Sequence, residues 1–214
     1  MKRGFFITLE GPDGSGKTTQ SKLLVQALKD AGHKVVHTRE PGGTSFAENL
    51  RRILLNPRYK ILPLTELILY EASRAQHTEE VVRPALKKGL VVLCERYTDA
   101  TYAYQGFGRK ISLSLINKLN HIATCGLRPD LTVVLDIPVN RGLNRARAVS
   151  DKSRGKTTGG DRLEQENSAF HQRVRKGYFA IARSEPRRVK IVPGVGTIQQ
   201  VHSKVRSLVL DRLS

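Results

Sequence analysis

The sequence lacks any apolar run of 18 or more residues, the length that a membrane-spanning helix requires. Its start, Met1 to Gly4, leads through the apolar stretch Phe5–Leu9 directly into glycine-rich sequence, without the apolar core and cleavage site of a secretory signal peptide. We therefore expect a cytoplasmic protein with no membrane partner.

Cysteine is also scarce. Cys94 lies in an apolar run and Cys125 directly precedes Gly126, so the two are too far apart for a C-x-x-C pair and too few for a metal-binding framework. We expect both to be reduced and to have no part in the chemistry.

Acidic residues are few relative to basic ones, with 19 Asp and Glu against 37 Lys and Arg and a formal net charge of +18. Basic chains often bind nucleic acid by neutralising phosphates. Here residues 141–188 hold 13 Lys and Arg against 5 Asp and Glu, and few aromatic residues are interleaved for base stacking. We therefore favour a clamp for small polyphosphate ligands over a nucleic-acid groove.

The 214 residues, of which 39% are hydrophobic, suit a single domain spanning 1–214. Apolar patterning predicts strands alternating with helices, which is typical of an α/β fold with a parallel sheet and helices on both faces. The predicted strands are 5–9, 34–38, 90–94, 131–136 and 190–192. The predicted helices are 18–31, 45–55, 65–88 (bent or broken near Pro84), 112–123 and 140–148. The stretch Ser150–Gly160 has no apolar residue, and we expect a lid over about residues 149–163.

A phosphate-binding loop is the most specific local motif. Residues Gly11–Thr18 match G-x-x-x-x-G-K-S/T at every fixed position, directly after a predicted strand and before a predicted helix. Its backbone N–H groups would surround phosphate oxygens, Lys17 would reach the β- and γ-phosphates and Thr18 would bind Mg²⁺. The motif predicts a P-loop NTPase three-layer sandwich.

Two further features bear on the use of the nucleotide. The GTPase base-reading pattern N-K-x-D is absent. Asp136 ends a predicted strand as a Walker-B carboxylate does, but Ile137 follows instead of the second acidic residue of many hydrolytic motors. The sequence therefore disfavours ATP hydrolysis as the main activity.

Three more motifs follow in order: Thr38-Arg39-Glu40-Pro41-Gly42-Gly43-Thr44, Tyr70-x-Ala72-x-Arg74-Ala75-Gln76-His77, and Glu95-Arg96-Tyr97 through Ala103-Tyr104-Gln105-Gly106. Together with the phosphate loop they resemble bacterial thymidylate kinase, from Phe5 to roughly Tyr178. The resemblance implies a P-loop fold with a five-stranded parallel sheet and a closing lid, in a homodimer. It also implies the conversion of dTMP and ATP into dTDP and ADP with Mg²⁺.

The resemblance also implies roles for single residues on the acceptor side. Arg51 and Arg96 would hold the phosphate of dTMP, and Tyr70 with Arg74, one helical turn apart, would form the base site. The full acceptor-binding set it implies is Asp13, Glu40, Arg51, Tyr70, Arg74, Arg96, Thr101, Tyr104 and Gln105. Within it, Thr101 would bind the base edge, Tyr104 would disfavour a 2′-hydroxyl and Asp13 would contact the 3′-hydroxyl.

On the donor side, the implied ATP-binding set is Gly11, Pro12, Asp13, Gly14, Ser15, Gly16, Lys17, Thr18, Thr19 and Arg145. The metal ligands would be Thr18 and Glu95, the latter standing where the family usually has Asp; Ala100 likewise replaces a usual Ser. No arginine lies within Pro12–Ser15, which resembles the subtype whose catalytic arginine is in the lid. The catalytic set is then Lys17, Arg96, Arg147, Arg154 and Arg162. The family often has a further lid arginine at the position that Val149 occupies here. We expect Arg154 to take its place, with Lys156 as a weaker candidate.

Two alternatives stay open. A kinase for another nucleoside monophosphate, such as UMP or CMP, would share the phosphate loop and the arginines. A basic P-loop protein that uses ATP to regulate nucleic-acid binding would instead explain the positive charge.

Overall fold

A parallel five-stranded sheet forms the centre of the molecule in the computed structural model, which describes residues 3–154 and 160–213, without the side chains of 150–154. The strands are β1 (Phe6–Glu10), β2 (Val35–Arg39), β3 (Val91–Glu95), β4 (Leu131–Asp136) and β5 (Val189–Pro193). Their order across the sheet is β2-β3-β1-β4-β5, and every pairing is parallel. Each predicted strand boundary agrees to within one residue.

Helices cover both faces of this sheet. They are α1 (Lys17–Asp30), α2 (Ser45–Leu55), α3 (Pro63–His77), α4 (Arg83–Lys87), α5 (Thr98–Thr101), α6 (Leu113–Thr124), α7 (Val139–Arg154), α8 (Ser168–Ser184) and α9 (Ile198–Leu213). Two π-helical segments, Thr78–Val82 and Tyr102–Gly108, continue α3 and α5. Among the described residues, no helix is both long and apolar enough to cross a membrane.

The alternation of side chains along β1 explains the layers. Ile7 and Leu9 pack on one face against Leu24 of α1 and Val205 of α9. Phe6 points to the opposite face, where it packs with Val82 and neighbouring residues. Because strands buried on both faces must be apolar throughout, the continuous apolar runs of the sequence did indicate a covered parallel sheet. The predicted three-layer α/β fold is confirmed.

The predicted helix 65–88 is one helical rod with a π-helical segment before Pro84. A proline has no N–H and its ring clashes with the carbonyl four residues earlier. The wider π turn of Thr78–Val82, in which the Arg83 N–H bonds to the Thr78 carbonyl, accommodates that clash without ending the rod. The bend expected at Pro84 is thus replaced by a change of helical pitch one turn earlier.

Two helical regions differ from the sequence prediction. Helix α7 extends to Arg154, into the predicted lid. The sequence prediction ended this helix at Ala148 because the apolar pattern, which marks only the part of the helix that contacts the core, ends there. The π-helical segment Tyr102–Gly108 was not predicted, since it contains two glycines. Gly108 lies against Phe170 of α8, where a Cβ would approach the ring to 2.6 Å, so the glycine permits close helix packing.

Candidate active site

The phosphate loop leaves the carboxyl end of β1 and enters α1 at Lys17. Gly14 has a φ of 70° and faces the Gly142 carbonyl so closely that a Cβ would lie 2.0 Å from that oxygen. The Lys17 ammonium folds over the loop and donates to the carbonyls of Gly11 at 3.0 Å and Pro12 at 2.9 Å. Burial, together with the nearby charge of Arg96, lowers the pKa of Lys17 to about 7. A bound polyphosphate would add to the negative charge of Asp13, Glu10 and Glu95 and favour the charged form of this lysine.

Glu95 ends β3 beside the start of α1. It accepts hydrogen bonds of 2.7 Å from Thr18 Oγ1 and from Ser21 Oγ, and His37 Nε2 lies 3.4 Å away. Burial alone would raise the pKa of Glu95, but the bonds from His37, Ser21 and Thr18 outweigh it and lower the pKa to about 2. The carboxylate is therefore ionised at neutral pH.

This pair of oxygen ligands suits Mg²⁺. The described part of the chain contains no group of three or more His, Cys, Asp or Glu side chains that could form a closed metal site. Magnesium in nucleotide enzymes is held instead by one or two protein oxygens and the phosphates of the substrate. The Thr18 hydroxyl and the Glu95 carboxylate fit that arrangement.

Arg96 follows β3 with a φ of 69°, in the left-handed region. Its guanidinium lies 4.8 Å from the centroid of the Tyr104 ring, is ion-paired with Asp13 and donates to Tyr104 Oη at 3.1 Å. Tyr104 Oη in turn donates to Asp13 at 2.8 Å. Burial alone would raise the pKa of Asp13, but the charges of Arg96 and Lys17 hold it below its usual value. These three residues form one charged cluster at the phosphate loop.

Two more arginines approach the cluster from β2 and α2. Arg51 donates to the Pro41 carbonyl at 3.0 Å, and Arg39 pairs with Glu48. Burial and the nearby Arg39 lower the pKa of Arg51, so positive charge exceeds negative charge on this wall. Arg39 belongs to the Thr38–Thr44 motif, but the sequence prediction gave it no role in the site.

The predicted base site has a fully buried arginine at its floor. Arg74 donates to Glu40 at 2.8 Å, Glu71 at 2.7 Å, Asn120 at 2.8 Å and the Tyr97 carbonyl at 3.0 Å. Because a guanidinium has five N–H groups, one of those on Nη2 has no partner among the described residues. Glu40 thus supports Arg74 by an ion pair.

A cavity of about 860 Å³ joins these groups. Its walls include every member of the predicted acceptor set: Asp13, Glu40, Arg51, Tyr70, Arg74, Arg96, Thr101, Tyr104 and Gln105. Of the predicted ATP set, it is lined by Asp13, Gly14, Ser15, Gly16, Lys17, Thr18, Thr19 and Arg145, whereas Gly11 and Pro12 are not among its lining residues. One cavity therefore contains residues of both the predicted ATP set and the predicted acceptor set.

One part of the cavity lining was not predicted. The lining also includes Gly194, Gly196, Thr197 and Ile198, together with Arg145 and Val149 of α7. This segment connects β5 to α9 and contains no recognisable motif, so only the sheet order, which places β5 beside β4, reveals its position.

The predicted lid arginines occupy different places. Arg145 lines the cavity. Arg147 donates to the Glu164 carbonyl at 3.0 Å. Arg162 donates to the Leu54 carbonyl at 2.7 Å and to Glu66 at 2.6 Å. Neither Arg147 nor Arg162 is among the cavity-lining residues, and the catalytic roles expected of both stay predictions. The side chain of Arg154 and all of Lys156 lie outside the described residues.

The fold, the phosphate loop and the cavity that joins it to the predicted acceptor residues define a P-loop nucleotide kinase. The family model described as thymidylate kinase matches residues 9–205. The chain belongs to the thymidylate kinase family.

Individual relatives agree with this assignment. The thymidylate kinase of Syntrophotalea carbinolica is 50% identical over 202 residues, covering 94% of this chain and 93% of the relative. That of Geobacter sulfurreducens is 47% identical over 211 residues, covering 98% of each. The crystal structure of thymidylate kinase from Ehrlichia chaffeensis superposes with a TM-score of 0.77 at 33% identity, covering 97% of this chain and 99% of that one.

Proposed function

We propose that this chain transfers the γ-phosphoryl group of ATP to dTMP, giving dTDP and ADP. The observation that carries the proposal is the single cavity in which the phosphate loop and the predicted base site meet at Arg96 and Asp13. The family assignment supports the same reaction and disfavours the two alternatives, a UMP or CMP kinase and an ATP-regulated nucleic-acid-binding protein.

The transfer needs no covalent enzyme intermediate. An oxygen of the dTMP phosphate attacks the γ-phosphorus while the bond to the β–γ bridging oxygen breaks and ADP leaves. Positioning and charge stabilisation carry such a reaction. Lys17 and Arg96 supply positive charge on either side of the transferring group, and Mg²⁺, held by Thr18 and Glu95, would neutralise the β- and γ-phosphates of ATP.

The acceptor would be held by its phosphate and its sugar. Arg51 and Arg96 would bind the dTMP phosphate, since both line the cavity and carry positive charge. Asp13 would bind the 3′-hydroxyl, and Tyr104, fixed to Asp13 by its hydroxyl, would stand where a ribose carries its 2′-hydroxyl. This arrangement favours deoxyribose.

The base would lie against Tyr70. The free Nη2 hydrogen of Arg74 would donate to a carbonyl of thymine, with Thr101 and Gln105 at the remaining edges. Glu40 and Glu71 hold the guanidinium plane so that its donor direction is fixed.

At the donor end, the adenine would lie between Arg145 and the Gly194–Ile198 segment. Among the lid arginines we assign the catalytic role to Arg154. This choice follows from the contacts of Arg162, whose guanidinium is committed to Glu66 and Leu54, and of Arg147, which is bonded to the segment after the lid.

We also propose that the chain acts as a cytoplasmic homodimer. Helices α2 and α3 pack on each other and expose Phe46, Ile53, Leu64 and Ile68 by 41–53%. Apolar side chains so grouped on neighbouring helices favour burial against a second copy. The free thiols of Cys94 and Cys125 suit a reducing compartment.

A coupled assay of ADP formation with Mg-ATP and dTMP, dUMP, UMP, CMP or AMP tests the reaction and the base together. We expect dTMP to be the preferred acceptor. Preference for UMP would overturn the base assignment. Salt-sensitive DNA or RNA binding without any phosphoryl transfer would favour the nucleic-acid alternative instead.

A further inference from the structure

Arg96 is held by four partners on its two terminal nitrogens. Nη2 reaches Asp13 and Tyr104, while Nη1 donates to the Gly11 carbonyl at 3.2 Å and to Tyr178 Oη at 3.3 Å. Asp13 and Tyr104 line the cavity, so a bound acceptor competes for their oxygens. Tyr178 does not line the cavity. Among the described residues it is the one side-chain partner of Arg96 that the substrate leaves untouched.

The hydroxyl of Tyr178 has a fixed direction. Tyr178 is 1% exposed, and its hydroxyl donates to Glu10 Oε2 at 2.9 Å. The other carboxylate oxygen of Glu10 accepts the Tyr97 N–H at 2.7 Å. A guanidinium only donates, so Tyr178 Oη accepts from Arg96 and its own proton is free for Glu10. The hydrogen bonds therefore run in one direction, from Arg96 to Tyr178 to Glu10, with the lone pairs of Tyr178 Oη facing the guanidinium.

The backbone of Arg96 cannot substitute for this support. Its φ of 69° fixes where the side chain leaves the main chain, but the long arginine side chain still rotates about several bonds. The Nη1 contacts with Gly11 and Tyr178 hold the end of that side chain in place. Nε has no partner among the described residues and remains free for an anion.

We propose that Tyr178, oriented by Glu10, is a positioning residue that sets the guanidinium of Arg96 for the acceptor phosphate. The inference rests on the proposed function, because it takes the acceptor to be a nucleoside monophosphate bound at Arg96. It assigns a role in substrate binding to α8, a helix that contributes no side chain to the cavity lining.

The test is Tyr178→Phe, which removes the hydroxyl and keeps the ring in the core. Tyr97→Phe is the matched control, because Tyr97 is 0% exposed and its hydroxyl is bonded to Thr78 at 2.8 Å, away from Arg96. We expect Tyr178→Phe to raise the KM for dTMP about tenfold, as loss of a hydrogen bond to a charged group does, with the KM for ATP unchanged. Tyr97→Phe should leave both KM values within about twofold of wild type, while both variants lose similar thermal stability.

The pH profile gives a second readout. Burial, followed by the charge of Asp99, raises the pKa of Glu10 to about 7, whereas Arg96 and the bonds from Tyr178 and Tyr97 lower it. Lys17 is the other charged group that senses Glu10. Removing the Tyr178 hydroxyl raises this pKa further, so the acid limb of kcat/KM for dTMP should move to higher pH in Tyr178→Phe and stay in place in Tyr97→Phe.

The outcomes separate the inference from the function. An active wild type with unchanged KM and pH profile in Tyr178→Phe would overturn the inference alone, as would equal kinetic effects of the two variants. A wild type inactive on dTMP would overturn the proposed function and the inference with it.

Discussion

Glu66 accepts hydrogen bonds from Arg162 at 2.6 Å and from Arg109 at 2.9 Å on the same carboxylate oxygen, Oε2. Burial alone would raise the pKa of this fully buried carboxyl, but the bonds from Arg109 and Gln105 and the charge of Arg162 lower it. Since Tyr70 lies one helical turn after Glu66 on α3, the end of the predicted lid is tied to the helix of the predicted base site.

Removing this carboxylate should destabilise the fold strongly. Glu66→Ala leaves Arg162 and Arg109 without their shared partner, and an uncompensated buried charge costs about 3–5 kcal/mol of the free energy of unfolding. The matched control is Glu79→Ala, which breaks the exposed i,i+4 pair with Arg83 and should cost about 0.5 kcal/mol. Urea unfolding measures both, and equal losses would contradict the burial argument.

Nucleotide binding should take up a proton at mildly alkaline pH. The pKa of Lys17 is about 7 in the free protein, so at pH 8 the amine is mostly neutral. Phosphates favour its charged form and raise its pKa, while ATP itself is fully ionised at pH 8 because phosphate pKa values lie near about 6.

We therefore expect an uptake of about one proton per ATP at pH 8, measured by calorimetry in buffers of different ionisation enthalpy. At pH 6, where Lys17 is already charged, the uptake should vanish or reverse. A binding enthalpy at pH 8 that is independent of the buffer would show that no proton is taken up and would contradict this prediction.

The lid arginines should separate into two classes. Arg154→Ala should lower kcat by about 100-fold or more with little change in thermal stability, as loss of a transition-state charge does. Arg162→Ala should instead lower stability, since it removes the bonds to Glu66 and to the Leu54 carbonyl. Wild-type turnover by Arg154→Ala would remove Arg154 from the mechanism. Arg147→Ala, on the same helix α7, serves as the comparison variant.

A charge on the apolar surface of α2 and α3 should dissociate the proposed dimer. Phe46→Glu and Ile68→Glu place a carboxylate where both side chains are about half exposed. We expect light scattering to show a monomer for each. Lys29→Glu on α1, across the sheet from this surface, should leave the mass unchanged. A monomeric wild type would refute the dimer directly.

Much of the fold could be predicted because its signals are local. The apolar runs of the strands, the phosphate loop and the turn of helix joining Tyr70 to Arg74 are each contained within a few residues. The acceptor-side residues were placed by motif, and the structure brings them into one cavity. Their roles in binding stay predictions.

The missed features depend on contacts between distant segments. Tyr178 and Glu10 are 168 residues apart, and neither residue type nor periodicity indicates that they meet. Arg162 follows a lid-like sequence, yet its direction is decided by a glutamate on α3. The π-helical segment Tyr102–Gly108 was missed because glycines are unfavourable in a helix, yet the approach of Phe170 on α8 requires Gly108 and that of Leu113 on α6 requires Gly106.

The strand order has a consequence for synthesis of the chain. Strand β1 leaves the ribosome first, but it lies between β3 and β4, so it lacks both neighbours until those are made. Gly11 packs against the Leu135 carbonyl and Gly14 against the Gly142 carbonyl. A nascent chain that ends before residue 142 therefore carries a complete phosphate-loop sequence without the walls that shape it. Nucleotide can therefore assist the folding of this loop only after residue 142 has emerged.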